Sequence, residues 1–110
     1  MTINQELPYY AVIFTSTQTD SIAGYELMAQ EIEALAKIQP GYLGMVSARS
    51  QVGITVSYWA TLKDIAQWKL QADHSLAQQK GKSDWYEKYS VQICKVERSY
   101  GFDKELKEGK

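Results

Sequence analysis

The stretch Gly53-Ile-Thr-Val-Ser-Tyr-Trp59, followed directly by Ala60-Thr-Leu-Lys-Asp-Ile-Ala-Gln-Trp68, decides the fold of this chain. Its first half is rich in β-branched and aromatic residues, which is typical of a strand. In its second half Thr61 stands three residues before Asp64, a spacing that resembles a capping box at the start of a helix. Four apolar residues then recur at helical spacing: Leu62, Ile65, Trp68 and Ala72. A strand that runs straight into an aromatic-bearing helix predicts a pocket wall.

The rest of the chain supplies three further strands and one long helix. Composition and alternation predict four strands in all, over residues 8–16, 42–49, 52–59 and about 89–100. Thr19-Asp20-Ser21 supplies cap residues for a helix that runs to about Ile38 on an apolar stripe beginning at Ile22. Gly81 breaks the pattern after the second helix, and Ser83 is predicted to cap a short helix that carries three aromatic residues: Trp85, Tyr86 and Tyr89.

The order β-α-β-β-α-(α)-β predicts an α+β fold of the ferredoxin-like, split βαβ type. In that arrangement a four-stranded antiparallel sheet carries its helices on one face. A length of 110 residues is that of one domain. We expect residues 1–7 to form a flexible arm, 8–102 the domain, and 103–110 a charged tail.

The open face of such a sheet predicts a partner. The strands carry almost no charge on either face until Lys95 and Glu97 in the last one. A bare apolar sheet face is rarely tolerated in a soluble monomer. We therefore predict a homodimer in which two copies pack their open sheet faces together.

Composition excludes several function classes. With 12 basic and 13 acidic residues the net charge is −1, which argues against nucleic acid as a partner. The sequence has no apolar run of membrane-spanning length and no signal-peptide pattern at Met1, so we expect no membrane association and a cytoplasmic location. One histidine and one cysteine give no metal-site spacing, and no nucleotide-binding glycine motif occurs.

Several short motifs together resemble a known family. They are Ser57-Tyr58-Trp59, Trp68-Lys69 through His74, Gly41-Tyr-Leu-Gly44, Ala48-Arg49, Trp85-Tyr86-x-x-Tyr89 and Glu97-Arg98-x-Tyr100-Gly101-Phe102. Over residues 8–102 the chain resembles the antibiotic biosynthesis monooxygenase-like domains of the dimeric α+β barrel superfamily, in particular an uncharacterised bacterial branch.

The resemblance implies two chemistries. One group of relatives oxygenates phenolic or hydroquinone-like compounds with O₂ and without metal or flavin, so the resemblance implies no cofactor and a small aromatic ligand. A second group binds haem through a helix histidine and opens the ring with a nearby tryptophan and asparagine. Here Thr15 and Ser16 stand where that asparagine is expected, and the gap from Trp68 to His74 is shorter than in that group. Haem binding is therefore an alternative, as is a dimer that binds a small molecule without chemistry.

Seven residues are candidates for the site that the resemblance implies. As catalytic groups we expect His74 as the general base, because histidine titrates near neutral pH, with Tyr58 and Arg49 holding an anionic oxygen. As substrate-binding groups we expect four aromatic residues: Trp59, Trp68, Phe14 and Trp85.

Four of these candidates also have a structural interpretation. His74 is equally a surface residue near a helix end, Trp68 a core residue, Arg49 a solvent-facing hairpin residue, and Trp85 part of a packing cluster. Tyr58 and Trp59 point to opposite sides of their strand, and parity alone does not decide which one faces the helices.

Overall fold

The computed structural model describes residues 5–79 and 85–105, which build one antiparallel sheet and two helices. The strands are β1 (Tyr9–Gln18), β2 (Tyr42–Arg49), β3 (Gly53–Trp59) and β4 (Tyr86–Val96). The helices are α1 (Tyr25–Lys37) and α2 (Leu62–Gln79). The strand order β2-β3-β1-β4 places the first strand in the centre, as the split βαβ pattern requires. The predicted α+β ferredoxin-like fold is confirmed.

Strand register assigns each side chain to one of two faces. β1 pairs with β3 so that Val12 lies opposite Ser57 and Tyr10 opposite Trp59. Directly opposed residues of an antiparallel pair share a face, and neighbours along a strand alternate. Both helices cover the face that carries Val12 and Trp59, which we term the inner face. The outer face carries the intervening residues, Tyr58 among them.

The core lies at one end of the inner face. Val12, Ala36, Trp59 and Ile65 form one buried cluster that joins both helices to the two central strands. Trp59 is fully buried, and its indole N–H donates a hydrogen bond of 2.9 Å to the Ser57 hydroxyl. That bond satisfies the one polar atom of the indole, so the ring is accommodated in an apolar site without an unpaired donor.

Thr61 is the N-cap of α2, as its spacing to Asp64 predicts, but the returning bond runs from its hydroxyl and not from its backbone N–H. The Asp64 amide donates to the Thr61 hydroxyl at 3.0 Å, and that hydroxyl donates to the Asp64 carboxylate at 2.8 Å. Ile65, Trp68 and Ala72 face the sheet, as their spacing predicts. Leu62 does not, since it lies in the first turn and is 54% exposed.

The predicted start of α1 is wrong by several residues. The Ser21 amide donates to the Thr19 hydroxyl at 3.2 Å, which closes a local turn instead of capping a helix. The helix begins at Tyr25, after Gly24 takes a left-handed conformation with φ of 85°. Ile22 therefore precedes the helix and is 48% exposed, so it is not part of the apolar stripe.

The last strand also differs from its prediction. Tyr86 and Tyr89 belong to β4, where they pair with Gln18 and Ser16 of β1, and they do not lie on a short helix. The strand ends at Val96 because this residue pairs with Tyr9, the first residue of β1. Gly81 and Ser83 lie outside the described residues. The boundaries proposed for the arm, the domain and the tail stay predictions. Within the described ranges no helix is long and apolar enough to span a membrane.

We expect Trp59→Ala to lower the free energy of unfolding by about 3–5 kcal/mol, because truncating a fully buried tryptophan loses its transfer energy and leaves a cavity. Leu70→Ala on the outer side of α2, where the side chain is 69% exposed, is the control and should change stability by at most about 0.5 kcal/mol. Urea unfolding of both variants measures the difference. Equal costs would contradict this placement of the core.

Candidate functional site

A cavity of about 520 Å³ lies between the inner face and the two helices. Its walls are largely apolar and come from both layers. The sheet contributes Val12, Phe14, Met45, Val91 and Ile93, and the helices contribute Met28, Ala29, Ile32, Trp68 and Ala72. A cavity of this volume suits a ligand of one to a few rings.

The position of β4 explains why space is left beside the core. The helices pack over β2 and β3, while β4 forms the sheet edge on the far side of β1. Val91 and Ile93 of β4 lie on the inner face, yet they are 45% and 51% exposed. Apolar side chains that face the helices without being covered by them form a wall that a ligand can contact.

Four aromatic rings line the end of the cavity farthest from Trp59: Phe14, Tyr25, Tyr86 and Tyr89. Phe14 stacks on Tyr89 with ring centroids 5.4 Å apart and meets Tyr86 edge-to-face at 5.6 Å. Tyr25, the first residue of α1, meets Tyr86 edge-to-face at 5.7 Å. These contacts have the geometry that aromatic pairs prefer, so they fix the rings relative to one another.

Arg49 brings a positive charge to this aromatic end. Its guanidinium donates a hydrogen bond to the Ser16 hydroxyl and lies 5.7 Å from the centroid of the Tyr25 ring. Neither partner is an anion. Lys69, another cation of the lining, is paired at 2.8 Å with Asp73. The guanidinium is therefore the charge in the described lining that an anionic ligand atom can pair with.

Tyr86 is held in its protonated form. Burial raises the pKa of its phenol above the ordinary value of 10.0, and the hydrogen bond with Tyr25 raises it further, while the Arg49 charge lowers it by less. At neutral pH this side chain is a neutral phenol and does not act as a base.

The acidic residues of the lining lie on the helices: Glu26, Glu33 and Asp73. All three are exposed, and Glu33 is paired with Lys37 at 3.2 Å. In the described part of the chain no three histidine, cysteine or acidic residues come close enough together to hold a metal ion.

Three of the seven predicted site residues line the cavity. Arg49 and Phe14 lie at its aromatic end, and Trp68 contributes from α2. Trp59 also points towards the helices, but it lies beneath Trp68, stacked on it with centroids 5.1 Å apart, and has no exposed surface. This burial makes Trp59 part of the core, beneath the cavity wall, and its contact with a substrate stays a prediction.

Trp85 lies behind the wall. It is buried, its indole N–H donates to the Ala23 carbonyl at 2.9 Å, and its ring packs edge-to-face on Tyr25. Trp85 is not among the residues that line this cavity and supports Tyr25 from behind, so its contact with a ligand stays a prediction.

Tyr58 and His74 are not part of this cavity. Tyr58 lies on the outer face, edge-to-face with Tyr9 at 6.2 Å. His74 is exposed and follows the cavity-lining Ala72 by two residues, a rotation of about 200° around the helix axis. The imidazole thus lies on the opposite side of α2 from the cavity, and its role as the general base stays a prediction.

Five residues of the aromatic end were not predicted as site residues: Ser16, Tyr25, Gly53, Tyr86 and Tyr89. Tyr25 carried a signal, because it is a hydroxyl-bearing ring on an otherwise apolar stripe. Ser16 and Gly53 became apparent only from strand pairing, since they are 37 residues apart in the sequence and directly opposed in the sheet.

Comparison with known proteins places this chain in a family. The chain is 45% identical over 95 residues to the uncharacterized protein YqjZ of Bacillus subtilis, covering 84% of this chain and 83% of YqjZ. This chain therefore belongs to the same family as YqjZ. No family profile matches the sequence.

Solved structures share the fold. A variant of SnoaB, a cofactor-independent oxygenase from Streptomyces nogalater, superposes with a TM-score of 0.68 at 12% identity, over 83% of this chain and 95% of SnoaB. A proposed antibiotic biosynthesis monooxygenase from Nitrosomonas europaea gives a TM-score of 0.63 at 18% identity, over 84% and 93% of the two chains. The domain is thus antibiotic biosynthesis monooxygenase-like in fold, as the motifs predict.

We expect Tyr86→Phe to lower stability by about 1 kcal/mol near neutral pH, because the ring stays while the hydrogen bond to Tyr25 is lost. A folded-state pKa raised above the unfolded value gives stability that is present below pH 10 and lost as the pH rises further. The stability difference between the wild-type protein and the variant should therefore shrink above pH 10. Urea unfolding from pH 8 to pH 11 measures it, and a difference that grows with pH would contradict the raised pKa.

Proposed function

We propose that this member of the YqjZ family is a cofactor-independent monooxygenase that acts on a small aromatic substrate of the phenolic or quinone type. The observation that carries the proposal is the pairing, in one cavity, of aromatic walls with a guanidinium whose described partners are neutral. The fold shared with an oxygenase supports the reaction class.

Binding follows from the two kinds of wall. A planar substrate lies between the apolar sheet wall at Phe14 and Val91 and the helix wall at Trp68. Ring-to-ring contacts of this kind contribute about 0.5–1.5 kcal/mol each beyond the area they bury. An ionised substrate oxygen pairs with Arg49, and such charge-assisted bonds are about twice as strong as neutral ones.

The proposed chemistry needs the protein to stabilise an anion. A substrate with a CH₂ group next to its phenolic ring system loses one proton and becomes an electron-rich anion. That anion gives one electron to O₂, and the resulting radical pair forms a C–O bond to give a peroxide. Loss of water from the peroxide leaves a carbonyl, so CH₂ and O₂ become C=O and H₂O. Both electron pairs of the two C–H bonds reduce the oxygen.

Arg49 supplies the stabilisation that this step requires. Removing one preorganised donor from an oxyanion commonly costs a factor of about 10²–10³ in rate. The described lining holds no imidazole, and its three carboxylates are exposed on the helices, so we assign the proton to water at the open, β4 side of the cavity. The substrate must therefore be acidic enough to ionise once Arg49 lowers its pKa.

Two alternatives make different use of the same fold. A dimer that only sequesters a ring compound needs the same aromatic walls. Only a measurement of turnover distinguishes it from an oxygenase. Haem ligation through His74 gains no support, since that side chain lies on the opposite side of α2 from the cavity.

The outer face supports the proposed partner, a second copy of this chain. Apolar side chains there are exposed or half-buried, among them Ile13, Val46, Ile54 and Val56. Two such faces packed together would form the dimeric α+β barrel and would remove this surface from water. A cytoplasmic location is part of the same proposal.

Oxygen uptake with anthrone-type compounds, which carry the required CH₂ group, tests the reaction. We expect Arg49→Ala to lower kcat/KM by about 100-fold, because the developing anion loses its charged partner. His74→Ala should keep the wild-type rate, as its side chain lies away from the cavity. Quenching of tryptophan fluorescence by these compounds without any oxygen uptake would replace the oxygenase by the binding protein. A loss of activity in His74→Ala would restore histidine as the base.

Light scattering tests the dimer. We expect the wild-type protein to be dimeric at micromolar concentration and Val46→Glu to be monomeric, because a carboxylate would be buried in the interface without a partner. Leu70→Glu is the matched control, since it places the same charge on the exposed side of α2 and should leave the dimer intact. A monomeric wild-type protein would contradict the proposal.

A further inference from the structure

We infer that Ser16 and Gly53 are positioning residues that hold the Arg49 guanidinium over the Tyr25 ring, so that the cavity selects the ionised form of a phenol. The inference rests on the proposed function in taking the cavity as the ligand site. It does not require that the bound compound be oxygenated.

Strand register places these residues in one row across the sheet. Arg49 of β2 lies opposite Gly53 of β3, Gly53 lies opposite Ser16 of β1, and all three share the inner face. Neighbouring strands are about 4.8 Å apart, so Arg49 and Ser16 are separated by about 10 Å. The arginine side chain reaches the serine hydroxyl only by crossing over β3 at Gly53.

Glycine at position 53 leaves the space for that crossing. A Cβ added there would overlap the guanidinium carbon and nitrogens of Arg49. Gly53 is the first residue of β3, where a close approach of another group to the backbone favours glycine. The obstructed group is the end of a flexible side chain, so an alanine at position 53 would displace Arg49 and leave the sheet in place.

Arg49, Gly53, Ser16 and Tyr25 together form an arrangement that we term the clamp. Ser16 and Tyr25 complete it without neutralising the guanidinium charge. Ser16 is only 3% exposed, and its hydroxyl accepts the guanidinium hydrogen bond. The Tyr25 ring offers a cation–π contact at 5.7 Å from its centroid. A carboxylate in either position would pair with the arginine and remove the charge that a ligand needs. Neutral partners fix the direction of the guanidinium and keep its charge available.

A fixed positive charge acts on the ionisation of whatever lies beside it. An opposite charge within about 4–6 Å lowers the pKa of an acidic group by roughly 1–3 units. A phenol bound at the aromatic end should therefore ionise at lower pH than it does in water. A ring compound of the same size without an ionisable oxygen should bind with no dependence on the clamp.

Titration of 4-nitrophenol tests the clamp, because its phenolate form is coloured and its pKa in the bound state can be read directly. We expect the wild-type protein to lower that pKa by about one unit or more. Gly53→Ala should abolish most of the shift and weaken phenolate binding about tenfold, which is the affinity equivalent of one pKa unit. Affinity for nitrobenzene, the neutral analogue, should stay at the wild-type value in both proteins.

Two matched controls separate positioning from folding. Gly101→Ala adds a Cβ that meets nothing within 4 Å and should behave as the wild-type protein. Ser16→Ala removes the acceptor of the guanidinium bond and should reduce the shift, whereas Ser90→Ala removes a hydroxyl from the outer face of the same sheet and should not. If Gly53→Ala fails to give a folded circular dichroism spectrum, Ser16→Ala decides by the same titration.

The clamp is wrong if Gly53→Ala keeps the full shift, or if the wild-type protein shows no shift or no saturable binding of 4-nitrophenol. Oxygen uptake is measured separately. A shifted pKa without oxygen uptake would support the clamp and reject the oxygenase. Oxygen uptake without a shifted pKa would support the oxygenase and reject the clamp.

Discussion

The antiparallel register between β1 and β3 is the constraint on which the rest of the structure depends. It sets Tyr10 opposite Trp59 and Ser16 opposite Gly53. A slip of one residue would exchange the two faces of β3. Tyr58 would then lie under the helices in place of Trp59, the core would lose its largest buried side chain, and no glycine would lie beneath the Arg49 side chain. Stability and the candidate site therefore depend on the same set of backbone hydrogen bonds.

Two helices over four strands divide the inner face into a filled half and an open half. At the Trp59 end, the two helices meet the central strands and exclude water. At the Ser16 end, the first turn of α1 contributes Tyr25, and the uncovered strand β4 contributes Tyr89 and Val91. The rings there pack on one another, so the walls of this half are held in place while the space between them stays open. A pocket follows from incomplete coverage of the sheet edge, not from a dedicated insertion.

Much of the fold was predictable from the sequence because its signals are local. The helix cap at Thr61 and the β-branched and aromatic content of residues 53–59 each depend on a few neighbouring residues. Which of Tyr58 and Trp59 faces the helices was not predictable, since both are aromatic and their strand has no charged face to orient it. Tyr86 and Tyr89 have a spacing that fits a helix, and pairing with β1 overrides that preference. For His74 the helical period already indicated the exposed side, because Ala72 faces inward two residues earlier. Arg49, Gly53 and Ser16 belong to three different strands, and only the register of those strands brings the three residues together.

The chemistry open to this cavity follows from the kind of charge it holds. A guanidinium keeps its proton throughout the physiological range, so Arg49 can stabilise an anion but cannot generate one by removing a proton. Tyr86 has its pKa raised, Asp73 and Glu33 are paired with lysines on the helices, and Glu26 is exposed to solvent. The described lining thus stabilises negative charge better than it creates it. A reaction that suits such a site starts from a substrate whose own acidity supplies the anion and whose own electrons reduce the oxidant, which is the requirement of oxygenation without a cofactor.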